Sequence, residues 1–211
     1  MRHLITREAP DYVFFVTSLD ISDDAPPEFI RAAKTLLSAE VRPEVVIRGI
    51  PSPTKIAQHS VALSADITPL GSQDVPLGTG RFILMYDPDQ MTTWGGAFRI
   101  VCFAQAPLDG EIALDPMLSG VTWSWLVDAL DTPESPYSNA SGTATRVLSQ
   151  GFGELADQGE TAHIELRASW SPTGHDLHGH VSAWVSLLCL LAGLPPTADA
   201  VSMHAHKRER G

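Results

Sequence analysis

Apolar and polar residues alternate with a period of two along much of this chain, which is typical of a β-strand with one buried face. The clearest segment is 60–67, where every second side chain is apolar and the others are small or polar. Further segments of this kind occupy 45–48, 98–105, 143–149 and 161–170. Such strands need only one covered face, so the pattern predicts an antiparallel sheet. The segment 81–86, apolar on both sides, predicts a central strand.

Three other segments repeat apolar residues every three or four positions, which predicts helices at 25–37, 116–131 and 176–191. Asp115 and Pro116 suit the start of the second helix. That helix is apolar on nearly every side, so we expect it to be buried and to organise the fold. The third helix carries a single apolar stripe, and Gly193 can end it in the left-handed conformation.

The predicted order is helix, four strands, helix, two strands, helix. Short links between successive strands favour antiparallel neighbours. We therefore predict an α+β fold, a two-layer domain with a mainly antiparallel sheet of about six strands backed by three helices. The domain spans 25–196, between a poorly placed N-terminal extension at 1–24, with a short strand at 12–16, and a flexible tail at 197–211.

The composition is that of a globular protein, with 44% hydrophobic and 18% charged residues in a chain of 211. Its longest apolar run, at 185–194, is about half of the ~20 residues that span a bilayer, so no membrane helix is predicted. The formal net charge of −11 argues against a nucleic-acid partner. Cys102 and Cys189 fall in a predicted strand and helix, which indicates reduced core residues in a cytoplasmic protein.

A histidine cluster stands at the start of the last predicted helix: His175, His178 and His180. Imidazole is a good ligand for zinc, and this spacing can place two rings on one side of a helix. No HExxH motif or zinc-type cysteine spacing accompanies the cluster. We treat it as a candidate metal site, with three solvated polar residues as the alternative, and the sequence otherwise predicts no cofactor.

A second candidate is the outward face of the 161–170 strand, with His163, Glu165 and Arg167. Acid, base and histidine on one face can bind a polar ligand or transfer a proton. Arg99, Arg146 and Asp66 on neighbouring strands can extend this group. The alternative is a solvated face with cross-strand ion pairs.

The tryptophans form a third candidate. Trp94 lies in a glycine-flanked segment and is the one that we expect to be exposed, as an interface anchor or as packing under a loop. Trp123, Trp125, Trp170 and Trp184 are expected in the core. No GxGxxG, P-loop, GxSxG, CxxC or kinase motif occurs, so the sequence favours a binding protein over an enzyme.

Seven short blocks follow one another in order: EVRPEVVI at 40–47, VALSADI at 61–67, GTGRFILMYDP at 78–88, WSWLVDAL at 123–130, SGTATRV at 141–147, ELRASWSPTG at 165–174 and the closing LLCLLAGLPP. In these blocks the chain resembles an actinobacterial family known as a domain of unknown function, number 3000 in that series. The resemblance covers 25–196. It implies an actinobacterial origin, a cytoplasmic location, genes beside a D-type ribonuclease and haem synthesis, and no assigned catalytic residue.

The resulting hypothesis is a non-catalytic binding or adaptor domain that engages a protein partner through a sheet face or the Trp94 loop. The alternative is a small-ligand-binding protein or an enzyme, with a site at His163, Glu165 and Arg167 and metal assistance from the histidines. An accessory factor in RNA metabolism is a third reading. Exposed sheet edges also allow a homodimer.

Overall fold

A computed structural model describes residues 19–39, 41–68 and 75–195. Six strands form one antiparallel sheet in the order β1-β2-β3-β4-β6-β5. The strands are β1 (Val45–Ile50), β2 (His59–Ile67), β3 (Gly78–Tyr86), β4 (Phe98–Leu108), β5 (Tyr137–Gln150) and β6 (Glu160–Pro172). The helices are α1 (Pro27–Thr35), α2 (Met91–Trp94), α3 (Gly110–Ala113), α4 (Leu118–Leu130) and α5 (His178–Leu191).

The predicted α+β class and six-stranded antiparallel sheet are confirmed. The structure describes five helices rather than three, because α2 and α3 are each a single turn of four residues. A segment that short has no measurable helical periodicity. Asp87 starts the turn before α2 by accepting a hydrogen bond from the Asp89 amide, and Gly95 ends α2 with a φ of 79°.

One face of the sheet packs against the long helices and holds the core. Helix α5 lies across β2, β3 and β4, and α4 lies against α5 and β5. The Trp184 ring packs on Phe82 with centroids 5.5 Å apart, and its indole nitrogen donates to the Phe103 carbonyl at 3.2 Å. At the other end of the core, Phe29 of α1 contacts the rings of His59 and Tyr86.

The predictions for α4 and α5 were wrong about which helix is central. Helix α4 starts at Leu118 rather than Pro116, and Asp115 instead accepts a hydrogen bond from the Met117 amide at 2.8 Å. It buries one side only, since Val121 is 37% exposed and Trp123 and Trp125 are half-buried. Helix α5 is buried on most sides, because the sheet lies on one side of it and α4 on the other.

Strand β5 is twice as long as the predicted 143–149. Tyr137, Ser138, Ser141 and Gly142, which precede the predicted strand, also pair with β6. The ladder shifts register between Ser138 and Ser141, and Asn139 in this bulge has a φ of 54°. A bulge interrupts strict alternation, so a strand that contains one is hard to detect from periodicity.

At the C-terminal end of α5, the predicted stop is confirmed. Gly193 has a φ of 73°, and the Leu194 amide donates to the Cys189 carbonyl at 2.9 Å. Cys189 and Cys102 are both buried and free, as predicted. No helix among the described residues is long and apolar enough to cross a membrane. The predicted strand at 12–16 and the tail at 197–211 lie outside the described residues.

Replacing Gly80 with alanine should lower the free energy of unfolding by about 1–3 kcal/mol, the usual cost of overpacking a core. A Cβ atom at Gly80 would lie 2.8 Å from Trp184 Cζ2, 2.8 Å from Leu188 Cδ1 and 2.9 Å from the Phe103 carbonyl oxygen. Urea denaturation measures the change. The control is Gly120→Ala in α4, where an added Cβ would meet no atom within 4 Å beyond the neighbouring backbone of its own helix, and it should leave stability unchanged or raised. Equal losses in the two variants would contradict this account.

Candidate interaction surface

Strand side chains that point away from the long helices form a second sheet surface, which we call the open face. It runs from Arg48 on β1 to Thr143 on β5. The registers place Arg48, Ser64, Arg81, Phe103, Arg167 and Thr143 directly opposite one another on successive strands. This line across the whole sheet is the arginine row. Ser64 and Phe103 are half-buried, and the three arginines are exposed.

The three site residues predicted on β6 lie together on the open face. Glu165 stands between the other two, with Oε1 3.3 Å from His163 Nε2 and Oε2 2.8 Å from Arg167. The Arg167 guanidinium also lies over the Phe103 ring, 5.4 Å from its centroid, in a cation–π contact. The Arg167 side chain is 64% exposed, so its remaining donors face solvent.

Basic groups outnumber acidic groups on the open face. Its described strand positions carry four arginines, Arg48, Arg81, Arg99 and Arg167, but two carboxylates, Asp66 and Glu165. Arg48 pairs with Asp66 at 2.8 Å, as Arg167 pairs with Glu165. This local excess of positive charge contrasts with the net charge of −11 on the chain.

Arg99 connects the open face to the Trp94 segment. Its guanidinium donates to Ser169 Oγ at 2.6 Å, Ser171 Oγ at 3.1 Å and the Asn139 carbonyl at 3.0 Å. Ser171 and Asn139 in turn donate to the Trp94 carbonyl, at 2.6 and 2.8 Å. Partial burial lowers the pKa of Arg99, although a guanidinium remains charged at neutral pH.

The placement of Trp94 differs from the prediction of a glycine-flanked loop. It is the last residue of α2, and it is half-buried rather than exposed. The hydrogen bonds to its carbonyl hold it at the end of the open face beside Arg99. Of the residues expected to extend the β6 site, Arg99 and Asp66 are on the open face. Arg146 is not, because its side chain donates to the Ala113 and Asp115 carbonyls on the helical side.

The histidines at the start of α5 point to different surroundings. His175 packs edge-on against Phe98, and His178 Nδ1 lies 2.7 Å from Asp176. His180 is fully buried, and its Nδ1 accepts a hydrogen bond from the Trp170 indole at 3.1 Å. Burial lowers the pKa of His180 to about 4. No group of three metal-ligating side chains occurs in the described part of the chain.

A shallow groove of ≈ 470 Å³ lies elsewhere, between the end of α4 and the start of β5. Its lining includes Asp131, Ser135, Tyr137 and Thr173, and none of the predicted site residues. The Tyr137 hydroxyl donates to Asp131 at 3.1 Å, and burial together with this contact raises the pKa of Tyr137.

Arg48, Arg81 and Phe103 are the parts of the open face that sequence reasoning missed. Alternation does place Arg48 and Phe103 on the outward side of their strands, which is the signal that could have found them. Arg81 begins a segment that is apolar on both sides, so alternation does not assign its face. Strand order was the missing information, because it puts Phe103 next to Arg167, 64 positions further along the chain.

The comparison with protein families gives one result. The family model described as "Protein of unknown function (DUF3000)" matches residues 25–202. The chain belongs to this family. No curated protein and no solved structure matches the chain. The predicted family of unknown function is thus confirmed over the domain, and because the family description assigns no activity, function has to be argued from the surface itself.

Proposed function

We propose that this protein is a non-catalytic binding domain whose open face holds an extended acidic segment of a protein partner. The observation that carries the proposal is the arginine row, in which Arg48, Arg81 and Arg167 cross the sheet surface opposite helices α4 and α5, with Phe103 between the last two. Arginine and aromatic side chains are the types most enriched at the energetic centres of protein interfaces.

The spacing of the row suits an extended peptide that lies across the strands. Arg48 and Arg81 are two strands apart, as are Arg81 and Arg167. Two strand spacings are about 10 Å, which is close to one turn of a polyproline II segment, about 9 Å for three residues. Every third side chain of such a segment lies on the same side, so a peptide with glutamate at every third position can place one carboxylate at each arginine, with an intervening residue near Phe103.

Charge favours a protein over a nucleic acid on this surface. Glu165 and Asp66 lie within the open face and would repel a continuous line of phosphates, and the whole chain carries −11. An acidic peptide has fewer charges, and each of its carboxylates can form a bidentate pair with one arginine.

The first test uses fluorescently labelled peptides with glutamate at every third position and apolar or small residues between. Binding to the protein is measured by fluorescence anisotropy. The double variant Arg81→Glu/Arg167→Glu should weaken binding of this peptide at least about tenfold, because two central charge pairs become repulsive. Affinity for the native protein should also fall as salt concentration rises.

The matched control is Arg31→Glu/Lys34→Glu, which makes the same change in net charge on exposed positions of α1. It should bind the peptide like the native protein. Equal loss in both double variants, no peptide binding at low salt, or stronger binding of oligouridylate than of the peptide would each overturn the proposal. A pull-down from the native host with the native protein and the two double variants would then identify the partner.

We include the Trp94 end of the open face in the proposed surface, because Arg99, Ser171 and Asn139 fix it there. Trp94→Ala should reduce peptide capture, and unchanged capture would remove α2 from the surface. The setting that we propose is cytoplasmic, since the free buried cysteines are compatible with reducing conditions.

A second candidate is a small-ligand site or an enzyme site at His163, Glu165 and Arg167, which is supported by the contacts of Glu165 to both neighbours. Native mass spectrometry and metal analysis of untagged protein distinguish this candidate from a peptide-binding surface. Extra mass that disappears in Arg167→Ala would favour the ligand site, and bound metal that is lost in His178→Ala would favour metal assistance from the helix α5 histidines.

A further inference from the structure

Within the part of the chain that the structure describes, strand β5 has one side of its backbone unpaired. It is the last strand of the sheet, pairing with β6 alone, and it is 14 residues long. Among the described residues, the backbone between 140 and 150 takes part in no backbone hydrogen bond except those to β6. None of its 14 residues is buried. A long row of unpaired amides and carbonyls is a template for another strand.

Beyond the bulge between Ser138 and Ser141, the sequence of β5 lacks the prolines and lysines that normally protect an edge. Between Tyr137 and Gln150 it has no proline and no lysine, and Arg146 is its one charged residue. Arg146 is directed along the helical side, where it donates to the carbonyls of Ala113 and Asp115. Natural proteins usually shield an edge with charges, prolines or short strands. The opposite edge, β1, is such a short strand of six residues.

Exposed apolar side chains gather at one end of β5. Large hydrophobic residues that are more than half exposed include Leu114, Met117, Leu148, Phe152 and Leu155. Leu148, at 58% exposure, lies on the same face of β5 as Arg146, whose contacts bring the 113–115 segment alongside. Phe152 and Leu155 follow in the hairpin to β6. A contiguous exposed apolar patch marks an interaction site.

We propose that β5 pairs antiparallel with β5 of a second copy of this chain, which joins the two sheets into one of twelve strands. A second copy is the occupant that fits, because pairing two identical edges around a two-fold axis covers both unprotected strands in one closed dimer.

The two-fold axis restricts the register of the two β5 strands. Facing residues of the two strands must lie on the same side of the sheet, so one residue pairs with itself at the axis. A register centred on Thr145 pairs the whole regular segment 141–149 with itself. In that register Arg146 faces Ala144 rather than a second Arg146, and the two Thr145 side chains can hydrogen-bond to each other.

This register also places apolar groups opposite one another. Leu148 of one copy faces Gly142 of the other, and Trp123 lies beside this glycine, with Cζ3 2.7 Å from the position of an added Cβ. Trp123 is half-buried and Val121 of the same helix is 37% exposed in the single chain. The Leu148 side chain of each copy therefore lies against the apolar α4 residues of the other copy, and the two-fold axis repeats this contact. Both open faces of the dimer point to the same side.

The test is sedimentation equilibrium of the full chain between about 5 and 200 µM, which resolves dissociation constants in that range. The native protein should be a dimer, and Leu148→Lys should weaken dimerisation at least about 100-fold, since each symmetric interface receives two buried lysines. Leu148 is mainly exposed, so the variant should keep the native circular dichroism and Tm. Ile56→Lys, at an exposed position between β1 and β2, should dimerise like the native protein.

A cysteine at the axis tests the register. Thr145→Cys should form an intermolecular disulfide on removal of reductant, whereas Val46→Cys, half-buried like Thr145 but on the opposite edge strand, should not. A monomer at every concentration, an open-ended series of oligomers, a dimer unaffected by Leu148→Lys, or equal cross-linking of the two cysteine variants would overturn the proposal. The acidic-peptide assay uses different residues, so failure of one proposal leaves the other standing.

Discussion

Replacing Trp184 with alanine should lower the free energy of unfolding by about 3–5 kcal/mol, the usual cost of removing a large buried aromatic side chain. Trp184 is fully buried where α5 crosses β3 and β4. The substitution removes the ring that packs on Phe82 at 5.5 Å and leaves the Phe103 carbonyl without the indole donor at 3.2 Å. Because a whole domain is typically stable by about 5–15 kcal/mol, the variant should be close to unfolding at 37 °C.

Urea denaturation followed by circular dichroism measures the loss. Trp125→Ala is the matched control, since it removes the same atoms from a half-buried position on α4 and should cost clearly less. If the two variants lost the same stability, α5 would not be the central helix of the core. The double variant Gly80→Ala/Trp184→Phe should lose less than the sum of its single changes, because the two sites are in contact.

Lowering the pH from 7 to 4 should destabilise the protein through His180. The pKa of His180 is about 4 in the folded protein, against an ordinary value of 6.5, chiefly because burial disfavours the charged ring. The nearby His178 lowers it further and Asp176 opposes this effect. The unfolded chain therefore binds a proton that the folded chain does not. Above pH 6.5 the His180 ring is neutral in both states and does not change the free energy of unfolding. As the pH falls from 6.5 to 4, the free energy of unfolding should decrease by about 1.4 kcal/mol per pH unit, to a total of about 3 kcal/mol.

The measurement is the free energy of unfolding in urea at several pH values. His180→Phe removes the titrating group and should flatten the slope between pH 6.5 and 4, although losing the acceptor of the Trp170 indole lowers stability at pH 7. A native slope in His180→Phe would show that other groups cause the acid destabilisation.

Most of the local structure could be predicted from the sequence, and the reasons for the failures are specific. Periodicity identified the four strands from β1 to β4, because each alternates or is apolar throughout. It underestimated β5, whose small and hydroxylated residues give little contrast between the two faces. It also chose α4 over α5 as the buried helix, since an apolar sequence shows what a helix can bury and not what packs around it.

The sequence likewise predicted some residues of the candidate site correctly and others wrongly. Alternation along β6 correctly put His163, Glu165 and Arg167 on one face, because side chains two residues apart share a side of a strand. The same argument applied to Arg146 failed, since the single sequence gave no sign of which face of β5 the helices cover. For the histidines before and within α5, spacing suggested a common site, but packing turned His180 into the core.

The sequence by itself determined the class of fold, which side chains point outward on most strands, and the end of α5 at Gly193. These features depend on neighbours within a few residues. Only the tertiary structure decided that β6 lies between β4 and β5. That order brings Arg81, Phe103 and Arg167 into one row and leaves β5 at the edge. Pairing between distant strands depends on packing the core against α4 and α5, and no local pattern contains that information.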